Sequence, residues 1–211
     1  MACEGDGRLS EFVRDAYGSR IEFDVYRNGK RIGEHITTFA HDPQGVHVES
    51  RMQLAVSVFF VPVYRFSYES RSTWCNGRLE MLEAVVVDNG KRSEVVAVTT
   101  GDTLEIRNEG SRIDGPADLI STDHWDPRVL DRREVLNTIT GFVNSVSINR
   151  CNEGSTEIET AAPTARCYEY AGDLETRVWY DTNERWVGLE FEGNDGSTIS
   201  YVCRVCQDDP I

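Results

Sequence analysis

No stretch of this 211-residue chain approaches the roughly 18 consecutive apolar residues needed for a membrane-spanning helix. The longest apolar run, 54–63, is interrupted by Ser57 and Pro62. Basic residues are few: 22 Lys and Arg stand against 36 Asp and Glu, a formal charge of −14. A field of that sign repels phosphate backbones and anionic lipid headgroups. Nucleic acid is therefore not an expected partner, whereas an apolar or cationic small ligand is compatible. Glycine-rich phosphate loops and the Gly-x-Ser-x-Gly nucleophile elbow are both missing, so the chemistry of neither has support. No internal repeat, low-complexity tract or linker is present, and a single domain over 1–211 is expected. A chain of this size, 39% hydrophobic, buries a core without staples.

The sequence also lacks a basic start followed by an apolar segment, the pattern of a secretory signal. Met1-Ala2-Cys3 reads instead like a mature start with an initiator methionine added. If small residues preceded it in a precursor, Cys3 would be a lipid attachment site, and the expected location is periplasmic or secreted. Six cysteines, at 3, 75, 151, 167, 203 and 206, are an even number, which points to disulfides and an oxidising compartment. Cys151 and Cys167 flank an expected hairpin and would lie opposite each other. Cys203-Arg-Val-Cys206 ends a strand. Redox CxxC motifs sit at helix N-termini, and a zinc site needs a second ligand pair. A structural disulfide to Cys75 or to another cysteine is the expected use.

What the chain has in abundance is alternation. Residues 8–17 carry Leu9, Phe12, Val13 and Ala16 at helical spacing and predict a short helix. From Ile21 the period switches to two: Ile21, Phe23 and Val25 alternate with Glu22, Asp24 and Tyr26, a half-buried strand. Asn28-Gly29, Asn76-Gly77 and Asn89-Gly90 mark tight hairpins, because a type I′ turn needs positive φ at both central positions. From Val46 the chain runs extended, Pro62 ends or bends that strand, and Tyr64, Phe66 and Tyr68 continue the alternation. Residues 109–140 break the rhythm as an irregular insertion, with a short helix predicted over 129–136. Strands resume at 142–149, 156–161, 166–170, 175–180, 185–192 and 197–204. Consecutive strands joined by tight turns are antiparallel neighbours. The expected fold is all-β with minor α: a strongly curved antiparallel sheet forming an open or half barrel, closed by a short helix and the insertion. A flat sheet of this size would leave too large an apolar face wet, and a barrel not filled by side chains holds a ligand.

The stretches Phe23-Asp-Val-Tyr-Arg-Asn-Gly-Lys-Arg-Ile-Gly33, Trp74-Cys-Asn-Gly-Arg-Leu79, Leu136-Asn-Thr-Ile-Thr-Gly141, Val178-Trp-Tyr-Asp181 and Trp186-Val-Gly-Leu189, in that order, resemble a bacterial envelope family of unknown function, similar in pattern to the periplasmic lipoprotein carriers. The resemblance covers most of 20–203. It implies an exported half-barrel closed over a short helix, with a hydrophobic ligand between them and no catalytic residue to carry over.

Several clusters are candidates for chemistry. Tyr64, Phe66, Tyr68 and Trp74 share one strand face, and with Trp125 and Trp179 they would line an apolar pocket, tyrosine and tryptophan supplying polar tips. Ordinary sheet core uses the same residues. His124-Trp125-Asp126 lies in the irregular insertion, where functional residues concentrate. There His124 would act as a general base, Asp123 or Asp126 would orient it, and Tyr64 would complete the set. His35, His41 and His47 with Asp42 or Glu49 are a weaker candidate; three solvated histidines near a hairpin tip is the simpler reading, so no metal is expected. Glu69, Arg71 and Glu80 would turn inward only if the register slips at a bulge. The leading expectation is binding or carrying of a hydrophobic or amphipathic small molecule or lipid in the barrel, without cofactor. The alternative is a cofactor-independent isomerase, cyclase or lyase working on an apolar substrate in the same cavity. A structural module presenting sheet edges comes third.

Overall fold

The structure, a computed structural model, describes Cys3 and residues 7–59, 61–152 and 164–207. Helix α1 (Gly7–Tyr17) comes first, burying Leu9, Val13, Ala16 and Tyr17 along one stripe as its spacing requires. The strands follow: β1 (Arg20–Arg27), β2 (Lys30–Asp42), β3 (Gly45–Val58), β4 (Val61–Cys75), β5 (Arg78–Asp88), β6 (Lys91–Thr100), β7 (Thr103–Asn108) and β8 (Ser111–Pro116). After a short β9 (Ile120–Ser121) and a 3₁₀ turn (Pro127–Asp131) come β10 (Glu134–Leu136), β11 (Val143–Arg150), β12 (Arg166–Gly172), β13 (Thr176–Tyr180), β14 (Trp186–Glu192) and β15 (Thr198–Val205). The all-β expectation holds. The strand predicted over 156–161 lies outside the described residues.

The strands form one 15-stranded sheet in the order β8-β7-β6-β5-β4-β3-β2-β1-β15-β14-β13-β12-β11-β10-β9. Pairing is antiparallel throughout except between β9 and β10. The two edge strands, β8 and β9, are joined in sequence by 117–119 alone. Four steps of extended chain reach at most about 14 Å, so the sheet curls until its edges nearly meet. It is not closed. A methyl placed on Gly115 of β8 would lie 3.9 Å from Val143 Cγ2 on β11, so side chains pack across the gap. The Asn108 amide, at the end of β7, donates to the carbonyl of Thr140.

Two expectations need correction and a third is sharpened. The extended run from 46 does end beside Pro62, where β3 reverses into β4. The turn carries no glycine or asparagine: Phe59 itself takes φ 48°, a region a bulky residue rarely enters. The irregular insertion is shorter than 109–140, because 111–116 pair with β7. The helix predicted over 129–136 is only the 3₁₀ turn, capped by Asp126 accepting from the Arg128 amide, and its second half pairs as β10.

Strand direction gives the curved sheet two distinct ends. The turn at 43–44, the turn at 76–77, the loop at 181–185, the C-terminus of β15 and helix α1 share one end. The turns at 28–29 and 89–90, the β3–β4 reversal and the loops at 137–142 and 193–197 share the other.

Candidate functional site

The first end is shut by packing. Trp125, from the insertion, lies edge-on to Trp74 at 5.3 Å and to Phe39 at 5.7 Å, and Tyr17 of α1 stacks on Phe39 at 5.3 Å. Hydroxyl groups tie the insertion's backbone to this plug. Tyr17 donates to the Trp125 carbonyl at 2.8 Å and accepts from the Trp186 amide at 3.0 Å, and Tyr180 donates to the His124 carbonyl at 2.8 Å. All three disulfides gather here: Cys3–Cys75, Cys151–Cys167 and Cys203–Cys206. The facing of Cys151 and Cys167 is as expected. The CxxC cysteines pair with each other, not with Cys75 or a distant partner. The Cys3 sulfur pairs with Cys75.

This packing decides where the predicted site residues fall. Trp74 and Trp125 are fully buried in the plug, with ring faces already occupied. Tyr68 is buried, its hydroxyl donating to Thr138 Oγ1 at 2.8 Å and lying 3.3 Å from Asp123 Oδ1. Trp179 sits on the opposite sheet face from Val178, across from Cys167 and Gly188. Of the five predicted ligand-lining aromatics, Phe66 alone remains half-buried on the inner wall.

The three residues expected to share acid–base work are not brought together. His124, with φ 60°, is buried; its Nδ1 lies 3.5 Å from the Tyr170 hydroxyl and its ring 5.5 Å from that of Trp186. Burial pushes its pKa down to about 3, with a smaller push from His35, so the ring is neutral and weakly basic near pH 7. Asp126 holds the Arg128 guanidinium and caps the 3₁₀ turn. Tyr64 lies on β4 toward the other end, and burial, followed by its hydrogen bond with Asp88, raises its pKa to about 12. Burial, the largest cause, raises the pKa of Asp123, which accepts from Ser121 at 2.8 Å.

The other histidines also diverge. His35 is buried against Phe23, Trp186 and Tyr201, with neither ring nitrogen partnered, and burial lowers its pKa to about 4. His41 faces inward to Ser10 at 2.9 Å, whereas His47 faces outward to Thr73 at 3.1 Å and Asp42 at 2.9 Å. Among the described residues, no three His, Cys, Asp or Glu side chains are placed to hold a metal. The register does not slip inward at Glu69 and Arg71; they pair on the outer face with Arg51 at 3.3 Å and Glu49 at 3.2 Å. Two surface clefts, about 630 Å³ along β6–β8 and about 280 Å³ across β2–β5, are lined largely by such paired charges.

The second end differs in chemistry. Inward positions on the strands toward this end include Leu54 and Phe66, which pair with each other, and Phe191, which pairs with Ile199, with Leu189 and Tyr201 one step deeper; together they form an apolar wall, or collar. Leu54, Phe66 and Phe191 are half-buried in this collar, not sealed. Beyond the collar the chain exposes Phe59 (90%), Val61 (61%) and Val63 (53%) on the β3–β4 reversal, and Ile139 (38%) and Phe142 (53%) on the neighbouring loop. Among the described residues, five of the seven exposed large hydrophobics therefore crowd this end; the other two, Met81 and Val98, face each other across β5 and β6. Sequence reasoning had Pro62 end or bend the strand but did not recognise a reversal with exposed apolar side chains at its tip. The apolar run Val58-Phe-Phe-Val-Pro-Val63 was its only signal.

A curled, unclosed antiparallel sheet, plugged at one end and apolar at the other, defines a β-barrel-like protein. The chain belongs to a family of domains of unknown function, DUF6134, whose model matches residues 23–204. No curated protein matches it. Its fold is similar to that of the β-barrel-like protein of domain of unknown function DUF1849 from Brucella abortus, with a TM-score of 0.60 at 9% identity, covering 89% of this chain and 96% of that one. At that identity the likeness is one of fold alone.

Proposed function

We propose that the protein binds a hydrophobic or amphipathic small molecule at the open end of the barrel, in an oxidising compartment outside the cytoplasm. The observation that carries this reading is the half-buried apolar collar at Leu54, Phe66 and Phe191, at the same end as exposed Phe59, Ile139 and Phe142. A chain carrying −14 charge has ample polar side chains to cover an end it needs only for solubility. Contiguous exposed apolar surface at a rim marks a binding region. Three disulfides with no free cysteine support the compartment. The ligand's apolar part would lie against the collar, and its polar part would remain toward the water-facing rim, since the inward hydroxyls of Tyr68, Tyr170 and Tyr201 are already engaged.

Native mass spectrometry of the purified protein, followed by titration of the delipidated form with Nile red, tests the reading. An apolar adduct is expected, together with dye binding that falls at least about tenfold in Leu54→Ser/Phe66→Ser, since a fully buried large side chain contributes about 1.5–3 kcal/mol and these two are half-buried. Dye binding equal in that variant and the wild type would sink the proposal.

A further inference from the structure

We propose that the β3–β4 reversal is a finger that docks the protein on an electrically neutral lipid bilayer. Phe59, Val61 and Val63 would enter the boundary between headgroups and acyl chains. This goes beyond ligand binding in the collar and does not require a bound ligand.

Register defines the finger. The ladder between β2 and β3 stops at Leu54, and the ladder between β4 and β5 stops at Phe66, yet β3 and β4 go on pairing to Val58 and Val61. Four further residues at strand rise carry the tip about 13 Å past the level of Leu54 and Phe66, where its own flanking ladders end. Alternation makes both faces apolar. Val56 and Tyr64 pair on the side continuous with the inner wall, while Val61 and Val63 are exposed on the other. A protein groove accepts one face of a hairpin, whereas a lipid interface surrounds both.

Charge separates the finger from the rest of the chain. The sequence holds 36 acidic residues but none between Glu49 and Glu69, where Arg51 and Arg65 are the sole charges. Measured from Leu54 and Phe66 the tip reaches farther than the Debye length, about 8 Å at physiological ionic strength, so acidic groups at that level or below are screened from a surface that the tip touches. The same acidity, −14 per copy, opposes a second copy as the occupant. Depth is limited by the backbone. Among the described residues no ladder continues beside the finger past Leu54 and Phe66, although the Arg65 carbonyl accepts from the Asn89 amide, and outward amides and carbonyls cannot enter hydrocarbon unpaired. Insertion therefore stops at the interface, about 5–10 Å deep. Ile139 and Phe142 are exposed at the same end of the sheet.

The full-length, delipidated protein should sediment with phosphatidylcholine vesicles. Phe59→Asn/Val61→Thr should lower that partitioning about 30-fold, equivalent to about 2 kcal/mol at 1.4 kcal/mol per tenfold, while Met81→Thr on the outer face leaves it unchanged. Asparagine tolerates the left-handed backbone of position 59 and threonine suits a strand; a near-ultraviolet dichroism spectrum checks that the fold persists. In Phe59→Trp, emission should shift to the blue on vesicle addition and be quenched by brominated lipid. Wild-type protein left in the supernatant overturns the proposal, as do equal sedimentation of the double variant or an unquenched Phe59→Trp. Self-association that the double variant abolishes overturns it too, in favour of a second copy. None of these outcomes touches dye binding in the collar, so the two proposals fail separately.

Discussion

The two ends of this sheet are built from the same strands and spend apolar side chains in opposite ways. At the closed end, Trp74, Trp125, Phe39 and Tyr17 interlock, tyrosine hydroxyls pin the insertion's backbone, and three disulfides fasten the chain. At the open end, Phe59, Val61, Val63, Ile139 and Phe142 meet water, and no disulfide lies there. Stability is thus concentrated in one half, which leaves the other free to carry surface that folding alone does not require. Resistance to unfolding and capacity for binding should separate along the barrel axis.

The sharpest way to test the filled half is acid. His35 and His124 are buried without a carboxylate partner, with pKa values lowered to about 4 and about 3. A folded-state pKa below the unfolded value near 6.5 means that the unfolded chain binds protons first. The stability due to neutral imidazoles is therefore complete above about pH 6.5 and is lost as pH falls toward about 4 and below. At 1.36 kcal/mol per unit the loss is on the order of 3–5 kcal/mol for each ring. Asp123, whose pKa is raised by burial, works the other way in the lower part of this range, because protonation suits its folded environment. Urea midpoints between pH 7 and pH 4 should fall steeply, and less so in His35→Phe. A flat profile would mean that these rings are hydrated in solution and the half is not dry.

Much of this half was legible in the sequence. The period of two and the Asn-Gly turns give the meander, because left-handed backbone at Asn28, Asn76 and Asn89 is chemically encoded. Helix α1 follows from the spacing of Leu9, Val13 and Ala16. The use of the aromatics was not legible. Trp74 and Trp125 are as good a pocket lining as a plug until it is known that α1 and the insertion enter the same end, a long-range fact that local pattern does not carry. Trp179 pairs with Cys167 and Gly188 beside a register shift and is buried, so it is packed in the core and does not line an open pocket. The reversal at Phe59 escaped notice because its turn lacks every residue that normally signals one. The pairing of Cys203 with Cys206 likewise depends on the end of β15 bending back, which no spacing rule dictates.

Substitution at matched residues sharpens the contrast. Trp125→Ala empties the centre of the plug and should cost about 3–5 kcal/mol, the usual range for a buried tryptophan. Phe142→Ala, at the open end, should stay within about 0.5 kcal/mol, as exposed positions do. Thermal denaturation of the two variants under identical conditions measures both. Similar losses would show that the open end is covered in solution and that the two halves are not distinct.

The smallest expected effect is the most informative about why the open end looks as it does. Phe59 combines φ 48° with 90% exposure. A bulky side chain in left-handed backbone is strained by on the order of 1 kcal/mol, and full exposure returns almost nothing from burial. Asparagine occupies that conformation more readily and leaves no apolar ring in water. Phe59→Asn alone should therefore leave the melting temperature unchanged or raise it by a few degrees, on the scale of a gain of roughly 0.5–1 kcal/mol. If the variant instead loses 2 kcal/mol or more in chemical denaturation, the ring is packed in solution and belongs to the core. If stability is kept or gained, folding does not account for a phenylalanine at that position, and the reason for it lies in what the tip touches outside the molecule.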